Sequence, residues 1–90
     1  MTKDSVRPVR NFLGCQIRQL RISKGWSQAD MVRRLQLKGW DIERTILTKI
    51  ELQHRCLTDY ELIAIADVLG VSLNDLLPPK VGSLRDFFKS

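Results

Sequence analysis

Three stretches that open apolar-periodic runs set a hydroxyl residue three positions before a carboxylate: Ser27 with Asp30, Thr58 with Glu61, and Ser72 with Asp75. Each pair is the signature of a helix start. The hydroxyl accepts a hydrogen bond from one free backbone N–H, and the carboxylate reaches back to another. Glycines stand where the helical stretches should stop, at Gly25, Gly39 and Gly70. A chain punctuated this closely is confined to short helices. No strand-like alternation of apolar and polar residues competes with that reading, and there is no repeat or low-complexity tract. The expected fold class is all-α, with five short helices.

Taken in order, Asn11 can cap a first helix over residues 11–24. Leu13, Ile17 and Leu20 fall on its buried face, and Cys15 is expected to be a small core residue of the same segment. Arg18, Arg21 and Lys24 load positive charge toward its C-terminus, which suits the helix dipole. The second helix covers residues 28–35, with a further turn left open, and turns Met31, Val32 and Leu35 inward. A connection over residues 36–42 follows, carrying Gly39 and Trp40. The third helix spans about 43–52. Asp41 is the better intrinsic cap for it, but with Glu43 as cap Ile42 would staple to Leu47, so both starts stay open. The fourth helix, from Thr58, is expected to bury Leu62, Ile63, Ala66 and Leu69. A fifth, from Ser72, is expected to turn Leu73, Leu76 and Leu77 inward before Pro78 and Pro79 end the compact part. Trp26 and Trp40 read as packing residues.

The 90 residues suit one domain over residues 11–79 with short flanks. Its core is small, so a partner or dimer interface would add stability. Net charge is +5, and its placement is more telling than its size. Residues 1–55 hold twelve Lys/Arg against five Asp/Glu, whereas residues 56–90 hold three against five. Positive charge thus sits in the half that holds the second and third helices, which suggests a polyanion partner, with charge serving solubility alone as an equal alternative. Residues 1–10 carry Lys3, Arg7 and Arg10 around Pro8, and read as a flexible basic arm or a plain tail. In residues 80–90, Leu84, Phe87 and Phe88 share one helical face. A helix that short must pack on the domain, pack on a protein partner, or fray.

Several function classes are disfavoured. Two distant cysteines and one histidine do not make a zinc site, and no cofactor is expected. A Cys15–Cys56 disulfide is not expected either. There is no nucleophile–base pair and no glycine-rich phosphate loop, so an enzyme is not expected. No apolar run approaches the ~20 residues of a membrane span, and the first residues lack a hydrophobic leader. The expectation is a cytoplasmic protein.

The third helix is where function concentrates. Arg44 and Thr48 are four apart, as are Thr45 and Lys49, while Leu47 and Ile50 lie on another side. A buried stripe opposite a strip of Arg, Thr, Thr and Lys suits a DNA major groove. The plainer alternative is a solvated charged face.

The order of motifs sharpens this reading. L-R-x-x-K-G-x-S-Q at residues 20–28 precedes K-I-E at 49–51, and A-x-x-L-G-V-S-L-x-x-L-L follows at 66–77. Over residues 17–77 the chain resembles the Cro/C1-type helix-turn-helix (XRE family) domain of DNA-binding regulators. The resemblance implies a five-helix, lambda-repressor-like domain that binds double-stranded DNA, usually as a dimer. It implies a phosphate contact for Gln28 and base contacts for Arg44, Thr45, Thr48 and Lys49. It also implies a structural ion pair between Arg21 and Glu51, and a phosphate contact for Arg55, with His54 a solvated loop residue. The departure is the turn between helices 2 and 3, which is about five residues longer than the usual three or four. The sequence QLKGWDI resembles a sub-group of small regulators with such an extended turn, and Lys38 within it would add a phosphate contact. Val32 stands where a small alanine is usual. Sequence-specific transcription regulation is the expected function. The alternative is an antitoxin-like or adaptor module whose main contact is protein.

Overall fold

In the computed structural model of the protein, residues 11–77 are described. The expectations for the basic arm at 1–10 and for Leu84, Phe87 and Phe88 at 80–90 lie outside them. Four α-helices follow in order: α1 (Gly14–Ser23), α2 (Gln28–Leu37), α3 (Arg44–Glu51) and α4 (Asp59–Leu69), then one 3-10 turn, Leu73–Leu76. No strand occurs among the described residues.

The helix starts are set locally. Ser27, Thr58 and Ser72 each accept from the backbone N–H three residues on, and Asp30, Glu61 and Asp75 each accept from the capping residue's own N–H. α3 is different. Glu43 caps it without a side-chain bond. Ile42, just before the cap, and Leu47, four residues after it, are both buried in the core, the placement of a hydrophobic staple. α1 begins three residues later than expected. Even so, Asn11 Oδ1 accepts from the N–H groups of Leu13 and Gly14 at 3.0 and 2.6 Å. Its Nδ2 donates to Ile50 O at 3.2 Å and Arg55 O at 2.7 Å, fastening the start of α1 to the end of α3.

All four helices end alike. A residue of positive φ closes each, its N–H bonds to the carbonyl three residues back, and the next N–H bonds to the carbonyl five residues back. The acceptor pairs are Ile22/Arg21, Gln36/Leu35, Ile50/Lys49 and Asp67/Ala66. Three of the left-handed residues are glycines, but the one after α3 is Gln53, at φ 66°. A side chain there carries a backbone cost of about 1–2 kcal/mol.

The core is one cluster. Ile17, Met31, Leu35, Leu47, Ile50, Ile65, Leu69 and Leu76 are fully buried, with Trp26 and Trp40 packed at its edge. Each such side chain contributes about 1.5–3 kcal/mol by leaving water. α3 packs on both α1 and α2, and α4 closes the other side of α2. α1 and α3 meet so closely that a Cβ on the buried Gly14 would stand 2.2 Å from Ile50 O.

Several expectations are corrected. The fifth helix is a four-residue 3-10 turn, because only four positions separate the Ser72 cap from the extended Leu77. Leu76 alone is buried there, with Leu73 and Leu77 exposed. On α4, Ile65 rather than Ile63 enters the core, and Ile63 is 56% exposed. Cys15 is exposed, its thiol facing Gln53 Oε1 at 3.7 Å, and Cys56 is also an exposed free thiol.

Candidate nucleic-acid interface

The site is built on one buried carboxylate. Glu51, at the last turn of α3, receives Arg21 Nε at 2.7 Å and Nη2 at 3.0 Å. Both side chains are almost wholly buried. Arg21 also donates through Nη1 to Trp26 O at 2.8 Å. A paired, fully bonded charge is tolerable in a core where a lone one is not. No buried side-chain N or O among the described residues lacks a partner.

Glu51 has a second task. Its Oε1 also accepts from Gln28 Nε2, at 3.1 Å. A carboxylate can only accept, so it fixes which end of the Gln28 amide faces it. The carbonyl end, Oε1, then points at α3, where it accepts from Arg44 Nε and from Thr48 Oγ1, each at 3.2 Å. The single Thr48 hydroxyl proton is shared between Gln28 Oε1 and Arg44 O, the latter at 3.0 Å. One chain of hydrogen bonds thus runs from α1 through the buried pair to the exposed start of α3.

On α3 the residue spacing of about 100° puts Arg44, Thr48, Thr45 and Lys49 on an arc of about 140°. Arg44, Thr45 and Lys49 are exposed and Thr48 is half-buried, while Leu47, Ile50 and Glu51 turn inward. Gln28 sits at the mouth of α2, whose first N–H groups have no acceptor within the helix, a setting that favours an anion. Asp30 stands in the same turn. The Ser27 backbone N–H, then its hydroxyl, hold that carboxyl below its usual range.

The remaining expected contacts lie elsewhere. Lys38, ten residues along α2 from Gln28, is about 15 Å away by helix rise. Its ammonium pairs with Asp67 of α4 at 2.6 Å, and it lines a shallow groove with Trp40, Thr58, Tyr60 and Glu61. Arg55 grips Glu61 with both terminal guanidinium nitrogens, at 2.9 and 3.1 Å. That bond lowers the Glu61 carboxyl from its usual range and raises the already high Arg55 value. The structure therefore gathers Gln28, Arg44, Thr45, Thr48 and Lys49 and leaves Lys38 and Arg55 apart, each on a carboxylate. Sequence reasoning misses the link from Glu51 to Gln28, because spacing offers no signal for a bond across 23 positions. The extended turn is itself ordered: Gln36 Nε2 bonds Ile42 O at 3.0 Å across it, and Ile42 N bonds Trp40 O at 2.7 Å.

Residues 17–76 match the model of a helix-turn-helix family. The chain belongs to the Cro/C1-type helix-turn-helix (XRE) family, whose class is DNA-binding transcription regulation. Among solved structures it is similar to the crystal structure of the hypothetical transcription factor NHTF from Neisseria. The two share 28% identity at a TM-score of 0.68, over 81% of this chain and 79% of that one. No curated protein matches the sequence. No helix among the described residues is long and apolar enough to cross a membrane.

Proposed function

We propose that this protein is a sequence-specific, non-enzymatic transcription regulator that binds duplex DNA as a homodimer in the cytoplasm, with α3 in the major groove. The observation that carries the reading is the face of α3. Arg44 and Thr48 are tied to Gln28 at the mouth of α2, and Thr45 and Lys49 stand exposed beside them. In this reading Gln28 meets a phosphate, while Arg44 and Lys49 reach guanine edges. The threonines bond a base or touch a thymine methyl. Lys38 and Arg55 already carry the carboxylates of Asp67 and Glu61, which offset their charge toward a phosphate, so they are secondary contacts.

The test is a selection from random duplex DNA with the full chain. The expected product is one enriched sequence in two inverted half-sites, centred about 10 base pairs apart. Affinity for it should fall steeply with salt, since several phosphates are neutralised. No enriched sequence, or binding that is flat between low and physiological salt, would overturn the proposal.

A further inference from the structure

We propose that Lys24 and Arg34, gathered over the ring of Trp26, form a second phosphate-contacting patch on the DNA backbone, outside the groove read by α3. The inference rests on the duplex-binding reading above and extends its footprint to residues that reading does not use.

Arg34 Cζ stands 4.1 Å from the Trp26 ring centroid and Lys24 Nζ stands 5.5 Å from it. The negative face of an indole attracts a cation. A chain of this length is expected to hold about one such contact, whereas here two converge on a single ring. The two charges are therefore less than 10 Å apart. Like charges held so close repel, and an anion near both relieves the repulsion.

Neither cation has a carboxylate partner among the described residues, in contrast to Arg21, Arg33, Lys38 and Arg55. Both side chains are exposed. Two acids neighbour Arg34: Asp67 lines a small groove with it but pairs with Lys38, and Asp30 stands one turn before it. Its oxygens are occupied by the Ser27 N–H and by Arg33, and Arg34 acts on it only through the field. The ring offers no carboxylate acceptor, so guanidinium N–H groups stay available for a phosphate oxygen.

The platform is anchored and correctly placed. Trp26 is half-buried against the core, and its carbonyl is held by Arg21. It immediately precedes the Ser27 cap, so the ring marks the mouth of α2. Helical side chains lean toward the N-terminus, which carries Arg34 back from two turns along α2 to that same end. The Trp26 ring thus sets the patch at the end of α2 that carries Gln28, on the flank that Arg34 shares with Lys38 one turn further on.

The test compares the full-length chain with a K24Q/R34Q variant on two duplexes, the selected sequence and an unrelated one. The expected result is a loss of about tenfold or more on both, with the ranking of base substitutions unchanged. The slope of log affinity against log salt should shrink by about two, one for each phosphate that is no longer neutralised. R33Q removes the same formal charge one residue away, but from a paired side chain, and should leave the slope nearly unchanged. R34K keeps charge on the ring and should retain the slope. Should the double variant fail to fold by circular dichroism, K24Q and R34Q singly should each lower the slope by about one. If the wild-type chain binds DNA and the double variant keeps its slope and both affinities, the patch is overturned and the α3 reading stands. If the wild-type chain binds neither duplex, both readings fall together.

Discussion

Glu51 does at the scale of one residue what the whole site depends on. Its two oxygens hold Arg21 in the core and orient Gln28 toward α3. Glu51→Ala would leave a buried guanidinium without its countercharge. The expected loss is about 3–5 kcal/mol, a large share of the ~5–15 kcal/mol of a typical domain, read from urea unfolding. A loss under about 1 kcal/mol would mean that Arg21 finds another partner. Gly14 is the second sensitive residue. A Cβ there meets the Ile50 carbonyl oxygen, part of a backbone that cannot swing aside. Gly14→Ala should therefore cost about 1–3 kcal/mol, against the usual gain of alanine in a helix. The same denaturant titration checks it. Neither effect is fully legible in the sequence. Only the family resemblance pairs Arg21 with Glu51. Gly14 reads as an ordinary helix residue, because close approach of two backbones leaves no mark on either stretch alone.

At the scale of the element, the starts of α2 and α4 are readable because a capping box is local, and both chemical halves lie within four positions. Choices made by neighbouring helices are not. On α4, residues 62, 63, 65 and 66 are all apolar, so periodicity permits two faces. Packing on α2 and α1 selects Ile65 and leaves Ile63 exposed. Cys15 lies off the stripe through Leu13 and Ile17 and so faces outward. The end of α3 carries no glycine, and only the fold reveals Gln53 in a left-handed conformation. The start of α4 carries a pH prediction. Arg55, then the Thr58 N–H, favour the ionised Glu61. A carboxyl lowered in the folded state stabilises the fold above its unfolded value, near 4.3–4.5, and loses that contribution as pH falls through the folded value. Wild-type stability should thus decline below about pH 4.5 more than that of Glu61→Gln, measured as thermal midpoints from pH 7 to pH 3. Equal declines would contradict the assignment.

At the scale of the whole molecule, the four helices of the described residues serve to fix the angle at which α3 is offered. The buried pair joins α1 to α3, the Gln28 amide joins α2 to α3, and the Lys38–Asp67 bridge joins the extended turn to α4. The helices and the face of α3 can be anticipated from periodicity and capping. The partners of Lys38 and Arg55 cannot, since both read as free cations until the fold brings Asp67 and Glu61 to them. In the proposed function α3 reads bases. Titration of Arg44→Ala and Lys49→Ala against the selected duplex and against an unrelated one puts this to the test. A base-reading α3 should lose about 1–3 kcal/mol for each substitution on the selected duplex and much less on the other. Equal losses on both duplexes would contradict it.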